Sequence, residues 1–367
     1  MLKKYKLKNY DFKLIIYCAL LTIVGILAIS SADASYTQKQ MFGFAFGIVL
    51  MVFVSLLDYS VLLKFTWVYY AINLVLLLLV KLVGYDAGGA TRWVTIAGIR
   101  FQPSESSKII LILFFSQFIM KYKDKIKKLY FVGICILLLA PPLVLILSQP
   151  DLSTSIMICI IFAVILFVGG IDWKLVFVVL GVSIPSAIFV VYSAVRQDSF
   201  LKDYQQRRIL AWLHPEDYAN SEAYQTLNSM MAIGSGQLLG KGYNTNEISS
   251  VLNSGFISES QTDFIFTVVG EEFGFIGACI VIVLILCIAI ECLIAASKAK
   301  DMAGKLIATG MATWIGFQGF LNIGVATGVL PNTGIPLPFV SYGLTSLLCI
   351  YLGMGFVMNV RLQSNKN

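Results

Sequence analysis

The sequence predicts an all-α integral membrane protein. About ten transmembrane helices form a single polytopic domain, residues 1–367, with one long extracytoplasmic loop, 193–262, between spans seven and eight. Three observations carry that prediction. Of the 367 residues, 58% are hydrophobic and 13% charged, whereas a soluble domain averages about 25% charged residues. Ten apolar stretches approach the ~20 residues that a helix needs to cross a bilayer. Lysine and arginine are distributed unevenly between alternate connections, as a fixed membrane orientation requires.

The stretches fall at 12–31, 39–57, 64–83, 104–120, 129–148, 153–170, 173–192, 264–296, 304–329 and 342–361. The first follows a basic start without a small-residue cleavage site, so it reads as a retained span. The fourth opens with Ser104, Glu105, Ser107 and Lys108. It is the least lipid-like and belongs inside the bundle. The eighth is long enough to project beyond the bilayer. With the N-terminus in the cytoplasm, the inner segments hold Lys3, Lys4, Lys6, Lys8, Lys13, Lys64, Lys121, Lys123, Lys125, Lys127, Lys128, Lys174, Lys298, Lys300, Lys305, Arg361 and Lys366, 17 of the 27 basic residues. Both termini are therefore expected in the cytoplasm. The net charge of +7 mostly expresses this asymmetry, and without a basic patch on a soluble face a nucleic-acid partner is excluded. The seven cysteines lie in apolar runs without a CxxC pair; they read as small buried apolar residues.

Five outward stretches are too polar for plain connections. In "GGATRWVTIAGIRFQPSESSK", Gly88 to Lys108, Pro103 suits the first turn of a helix, and Glu105 and Lys108 share a helix face. In "LSQPDLSTS", Asp151 stands at the start of span six, where an acid complements the helix dipole. The long loop holds Arg207, Arg208, Trp212 and the turn "GSGQLLGKG", Gly234 to Gly242, whose backbone N–H groups and Lys241 can face a phosphate. "ISESQTDFIFTVVGEEFGFIG", Ile257 to Gly277, sets four acids at the door of an apolar span. Among them Asp263 stands where water, headgroup and substrate meet. Glu271, on a continuous helix, would lie ~12 Å further along and ~80° around. Glu271 and Glu272 read as partners of bases such as Lys108 or Arg92. "GVLPNTGIPLPFVSYGLTS", Gly328 to Ser346, cannot be a continuous helix with its prolines and reads as a rigid outer plug.

These ordered motifs resemble the SEDS family, the shape, elongation, division and sporulation proteins of the RodA/FtsW/SpoVE group, from about Asp11 to Arg361. The resemblance implies a peptidoglycan glycosyltransferase that polymerises lipid II at the outer face of the bacterial cytoplasmic membrane, beside a class B penicillin-binding protein. It implies that the essential aspartate of the TDFIF motif is Asp263, the QPSE glutamate Glu105, the QPD aspartate Asp151 and the RW pair Arg92 and Trp93. The chain departs from the family where P-E-x-H-T-D reads Ser258 to Asp263, where SYGG ends in Leu344 and where GSGG ends in Gln237.

Glycan polymerisation requires a base for the acceptor hydroxyl, and Asp263 suits that task. It requires cations for the leaving diphosphate; Arg92, Arg207, Arg208, Lys108 and Lys241 are the outer candidates. Trp93 and Trp212 suit stacking on sugar or lining a lipid groove. No cofactor is certain; a divalent cation, magnesium or manganese, suits the phosphates, but no ligand set stands out. Two rival readings are a flippase for the lipid-linked precursor and a noncatalytic scaffold for the penicillin-binding protein. A flippase calls for acids spread through mid-depth, whereas Glu105, Asp151, Glu259 and Asp263 map to the outer end.

Overall fold

The computed structural model describes residues 10–87, 90–96, 99–196, 203–244 and 259–364. Part of the long loop, 245–258, lies outside the described residues. Ten long helices stand at the ten predicted places: α1 (Phe12–Ala32), α2 (Thr37–Leu56), α4 (Thr66–Val83) after the single turn α3 (Tyr59–Leu62), α5 (Pro103–Lys121), α6 (Leu129–Ser148), α7 (Leu152–Val168), α8 (Trp173–Arg196), α11 (Ile265–Ser297), α12 (Met302–Ala326) and α13 (Leu344–Leu362). Among the described residues, seven helices are long and apolar enough to cross a membrane, and α7 is a shorter apolar helix. The two-turn-or-longer α9 (Asp203–Leu213) and α10 (Tyr224–Ser235) fold within the long loop.

Helix starts follow local chemistry. The carboxylates of Asp11 and Asp151 cap α1 and α7 by accepting from Leu14 N and Thr154 N, at 3.3 and 3.2 Å, and Asp301 caps α12 from Gly304 N at 2.8 Å; each satisfies a backbone donor that would otherwise be orphaned. Pro103 occupies the first turn of α5, where its missing N–H costs nothing.

One element was not foreseen. Residues expected to form an outer connection make a small antiparallel sheet, β1 (Tyr85–Ala87), β2 (Ala90–Ile96) and β3 (Ile99–Phe101), in the order β1-β2-β3. Its strands are rich in β-branched residues, Thr91, Val94, Thr95, Ile96 and Ile99, which suit a pleated backbone. The seven cysteines also divide: Cys18, Cys135 and Cys292 are buried, but Cys159 is exposed on α7.

Helix α12 forms the centre of the bundle, packed by α5, α7, α11 and α13, while α2 covers α13 and α1 covers α11. In contrast, α8 packs chiefly against α9, and most of its described side chains are exposed. The ends of the bundle differ. At one end, Asp11 meets Arg361 at 3.8 Å, Lys300 meets Asp58 at 4.0 Å, and the Tyr59 hydroxyl donates to Asp301 at 2.9 Å. The described N- and C-terminal segments therefore lie together. Asp263 lies at the opposite end, above the 33-residue α11.

Candidate functional site

The site is assembled from the far ends of α5, α7, α9 and α11 and from the connection between α12 and α13. Asp263 precedes α11, which begins at Ile265, so the projection that placed Glu271 around a common helix from Asp263 does not apply. The backbone around Asp263 is clamped instead. Asn322 Nδ2 donates to the Asp263 and Ile335 carbonyls, each at 2.7 Å. Ser341 Oγ donates to Thr262 O at 2.6 Å, and Tyr342 N donates to Gln261 O at 2.9 Å. The plug connection thus bends back over the acid. Gly334 lies against it: a Cβ there would be 3.2 Å from Asp263 Oδ2, at a φ of 67° that favours glycine.

Asp263 is surrounded by protein, yet part of its surface stays open to solvent. Its carboxyl is raised from 3.8 to about 6, first by burial and then by the charge of Glu259; Arg92 and Arg208 oppose the rise, and Asp151 adds to it. The fold therefore brings together four of the charged residues singled out in the sequence, Arg92, Asp151, Arg208 and Asp263, with Glu259 as the fifth. A carboxyl poised near neutrality is suited to accept a proton, and the arginines present positive charge to an anion beside it.

Arg92 is aimed by its neighbours. Its Nη2 donates to Pro150 O and its Nε to Gln149 O at 3.4 Å, which ties the sheet to the start of α7. Trp93 follows it on β2, half-buried. Asp151 accepts from Thr154 Oγ1 at 2.9 Å and Ser104 Oγ at 3.1 Å, so it links α7 to α5. Ser153 Oγ donates to Thr333 O, joining α7 to the plug. The two loop arginines part company: Arg208 acts on Asp263, whereas Arg207 pairs with Glu222 at 3.6 Å. Trp212 Nε1 donates to Val329 O at 3.2 Å, docking α9 on the plug.

Glu105 and Lys108 form a separate, buried unit. They are 3% and 2% exposed and pair at 2.7 Å. The Lys108 ammonium also donates to Gln318 Oε1 at 2.9 Å and lies 4.7 Å from the centre of the Trp314 ring. Gln318 Nε2 continues to Pro336 O at 2.8 Å. A narrow apolar cleft beside Lys108 is lined by Leu111 and Phe115 of α5, Leu139 of α6 and Ile158, Ile161, Phe162 and Ile165 of α7.

The expected partners of the two α11 glutamates are corrected. Glu271 pairs not with Lys108 or Arg92 but with Lys241, at 2.8 Å, and Glu272 accepts from Ser31 Oγ and from Asn244 N at 3.2 Å. The "GSGQLLGKG" turn, expected to face a phosphate, donates its N–H groups to α11: Lys241 N to Glu271 O at 2.9 Å and Gly242 N to Glu272 O at 3.1 Å. Residues not singled out beforehand hold the site: Trp314, Gln318 and Asn322. Their spacing of four places all three on one face of α12, a polar stripe visible in "WIGFQGFLN". Among the described residues, no group of three or more His, Cys, Asp or Glu side chains is placed to hold a metal ion.

A family model described as a cell cycle protein, of FtsW/RodA/SpoVE type, matches residues 11–366. The chain is 33% identical over 349 residues to the peptidoglycan glycosyltransferase MrdB of Escherichia coli strain K12, covering 95% of this chain and 90% of that protein. It is 30% identical over 375 residues to a probable peptidoglycan glycosyltransferase FtsW of Geobacter sulfurreducens, covering 97% and 96%. Among solved structures, it resembles a chain of a peptidoglycan synthase complex that coordinates polymerization and crosslinking, with a TM-score of 0.80, 28% identity and 96% and 97% coverage. The rod shape determining protein RodA of Thermus thermophilus has a TM-score of 0.70, 25% identity and 98% coverage of both chains.

Proposed function

The chain belongs to the FtsW/RodA/SpoVE family of multi-pass membrane peptidoglycan glycosyltransferases, and we propose that it polymerises lipid II with Asp263 as the general base. The observation that carries this reading is the clamped, largely enclosed carboxyl of Asp263, raised to about 6 and within the electrostatic reach of Arg92 and Arg208. In the step proposed, Asp263 takes the proton from an acceptor sugar hydroxyl. The hydroxyl oxygen bonds to the donor's anomeric carbon while the bond from that carbon to the diphosphate-lipid breaks. Arg92 and Arg208 receive the leaving negative charge. Arg207 faces Glu222 and Lys241 is paired with Glu271, so this reading assigns the diphosphate to Arg92 and Arg208.

Glu105 and Lys108 brace α5 against α12 in this reading, and Asp151 locks the start of α7 beside Arg92. The long apolar faces between the spans suit the prenyl tails, so that the lipid stays in the membrane while the sugar reaches Asp263. A divalent cation, magnesium or manganese, would neutralise charge on the diphosphate and would be held chiefly by the substrate's own oxygens. Placement of the reaction at the outer face of the bacterial cytoplasmic membrane, with both termini inside, follows from the lysine-rich segments sharing the end away from Asp263. The similarity to a chain of a synthase complex supports a class B penicillin-binding protein as partner.

The test is purified protein with fluorescent lipid II, with and without a chelator, alongside Asp263→Ala. Wild-type protein should lengthen glycan strands and Asp263→Ala should not. Unchanged product from a membrane-inserted Asp263→Ala protein would sink the base assignment. A chelator that leaves the rate intact would remove the cation from the scheme.

A further inference from the structure

Helix α11 is interrupted. Gly274 sits at φ 63°, ψ −162°, a conformation in which glycine pays no Cβ penalty. A break of this kind leaves carbonyls above it and N–H groups below it without helical partners, which is costly away from water. The "GSGQLLGKG" turn satisfies both sides. Above the break, Glu271 O and Glu272 O accept from Lys241 N and Gly242 N; below it, Phe275 N donates to Gln237 O at 2.8 Å and Ile276 N to Leu238 O at 3.2 Å. A side chain at Gly236 or Gly240 would collide with the carbonyls of Gly270 or Glu272, so the turn reaches this depth only as glycine. The Lys241 ammonium then meets Glu271 Oε1 at 2.8 Å, with the glutamate side chain 0% exposed.

The part of α11 above the break, Ile265 to Phe273, is therefore a short separate block. Its residues through Glu272 are all buried. Asp263 sits on top of it, where Asn322 and Ser341 hold the adjoining backbone; the turn holds it from below. We propose that the Lys241–Glu271 pair is a positioning device that fixes this block and so sets where the Asp263 carboxylate stands relative to Arg92 and Arg208. The proposal rests on the reading of Asp263 as the base. It assigns Lys241 a role that needs no contact with substrate, and it makes the pair, not the lysine alone, the functional unit.

The test uses full-length protein in proteoliposomes carrying fluorescent lipid II, with Lys241→Met, Glu271→Gln, the neutral double variant and the exchanged double Lys241→Glu/Glu271→Lys. Misplacing a reacting group by ~1 Å can cost ~10²-fold, so each single variant should lower kcat about 10- to 100-fold, with KM changed less than about 2-fold. The neutral double should be no worse than either single, because both remove one interaction, and the exchanged pair should recover most of kcat. Hydrogen exchange supplies a readout independent of activity: amides of 265–273 should exchange faster in both singles and return toward wild type in the exchanged double. The acid limb of the rate should move in the singles with the altered surroundings of Asp263, and return with the exchange. Loss of activity in every Lys241 variant with Glu271→Gln fully active would overturn the proposal and make the lysine a phosphate ligand. Unchanged exchange at 265–273 in the singles would overturn it equally. A wild-type protein that makes no glycan while the exchange pattern holds would instead sink the glycosyltransferase mechanism and leave the brace intact.

Discussion

Asp263 and Glu105 are both acids near the end of the bundle away from the termini, and their surroundings differ in kind. Glu105 is buried and matched: its charge is met by Lys108 at 2.7 Å, and the lysine is in turn met by Gln318 and Trp314. Asp263 is crowded and unmatched. Burial and Glu259 push its carboxyl up to about 6, and the nearby arginines only partly offset them. A carboxyl held against a lysine ties together the helices that carry the two; an acid raised toward neutrality can exchange a proton during a reaction. In the function proposed above, this difference assigns the chemistry to Asp263 and the bracing of the helices to Glu105.

The largest effect that can break this comparison is on turnover. Asp263→Ala should reduce glycan synthesis ~10²–10⁴-fold, the contribution expected of a general base, while the protein still inserts and elutes as wild type. Activity of the unaltered protein should fall as pH drops through about 6, as the base is protonated. A flat profile between pH 5 and 8 would separate Asp263 from the rate. Next is stability. Removing one partner of a buried ion pair costs ~3–5 kcal/mol, whereas replacing both by apolar residues is often neutral. Glu105→Gln and Lys108→Met should each lower the melting temperature in detergent, and Glu105→Leu/Lys108→Met should restore most of it. If stability returns without activity, the pair acts on the reaction and not only on the fold.

Much of this contrast was legible in the chain. The apolar runs announced the ten long helices, because a bilayer demands length and hydrophobicity from each. The i, i+3 spacing of Glu105 and Lys108 announced their pairing. What was not legible depended on contacts distant in sequence. Lys241 and Glu271 are 30 residues apart, and the partner of Glu271 was misassigned because spacing says nothing across a folded loop. Arg207 and Arg208 are adjacent in sequence, and only the folded loop pairs one with Glu222 while the charge of the other reaches Asp263. The sheet was missed because apolar runs on either side dominated the reading of its short strands. Single amides in an apolar helix give no pattern that marks them as site residues, although Gln318 and Asn322 hold both sides of the site.

The same two acids should also respond oppositely to loss of charge. Asp263 has a raised value in the folded protein, so the folded state binds its proton more tightly than the unfolded one. Its carboxylate therefore subtracts from stability as pH rises from about 4 through about 6, and the penalty is complete at neutral pH. Asp263→Asn should then stabilise the inactive protein at pH 7.5, by ~1 kcal/mol once partial solvent exposure is allowed for, with the gain gone near pH 4. Glu105→Gln should do the reverse at neutral pH. A melting series in which both amide variants shift the same way would erase the distinction between the matched and the unmatched acid.

The smallest effects separate the two arginines. Arg208 lowers the Asp263 carboxyl through its charge, so Arg208→Gln should let that value climb above about 6 and move the acid limb of the rate to higher pH. If Arg208 also receives the diphosphate, KM for lipid II should rise ~10-fold, the scale of one charge-assisted hydrogen bond. Arg207 is 65% exposed and faces Glu222 at 3.6 Å, and an exposed pair of this kind contributes at most ~1 kcal/mol. Arg207→Gln should therefore leave KM and the acid limb within about 2-fold and 0.2 pH units of wild type. Because the two side chains leave adjacent residues of one helix, any general disturbance of α9 would affect both variants alike. An equal response from Arg207→Gln and Arg208→Gln would thus mean that α9 acts as a unit, and that the unmatched acid owes its poise to the whole loop and not to one guanidinium.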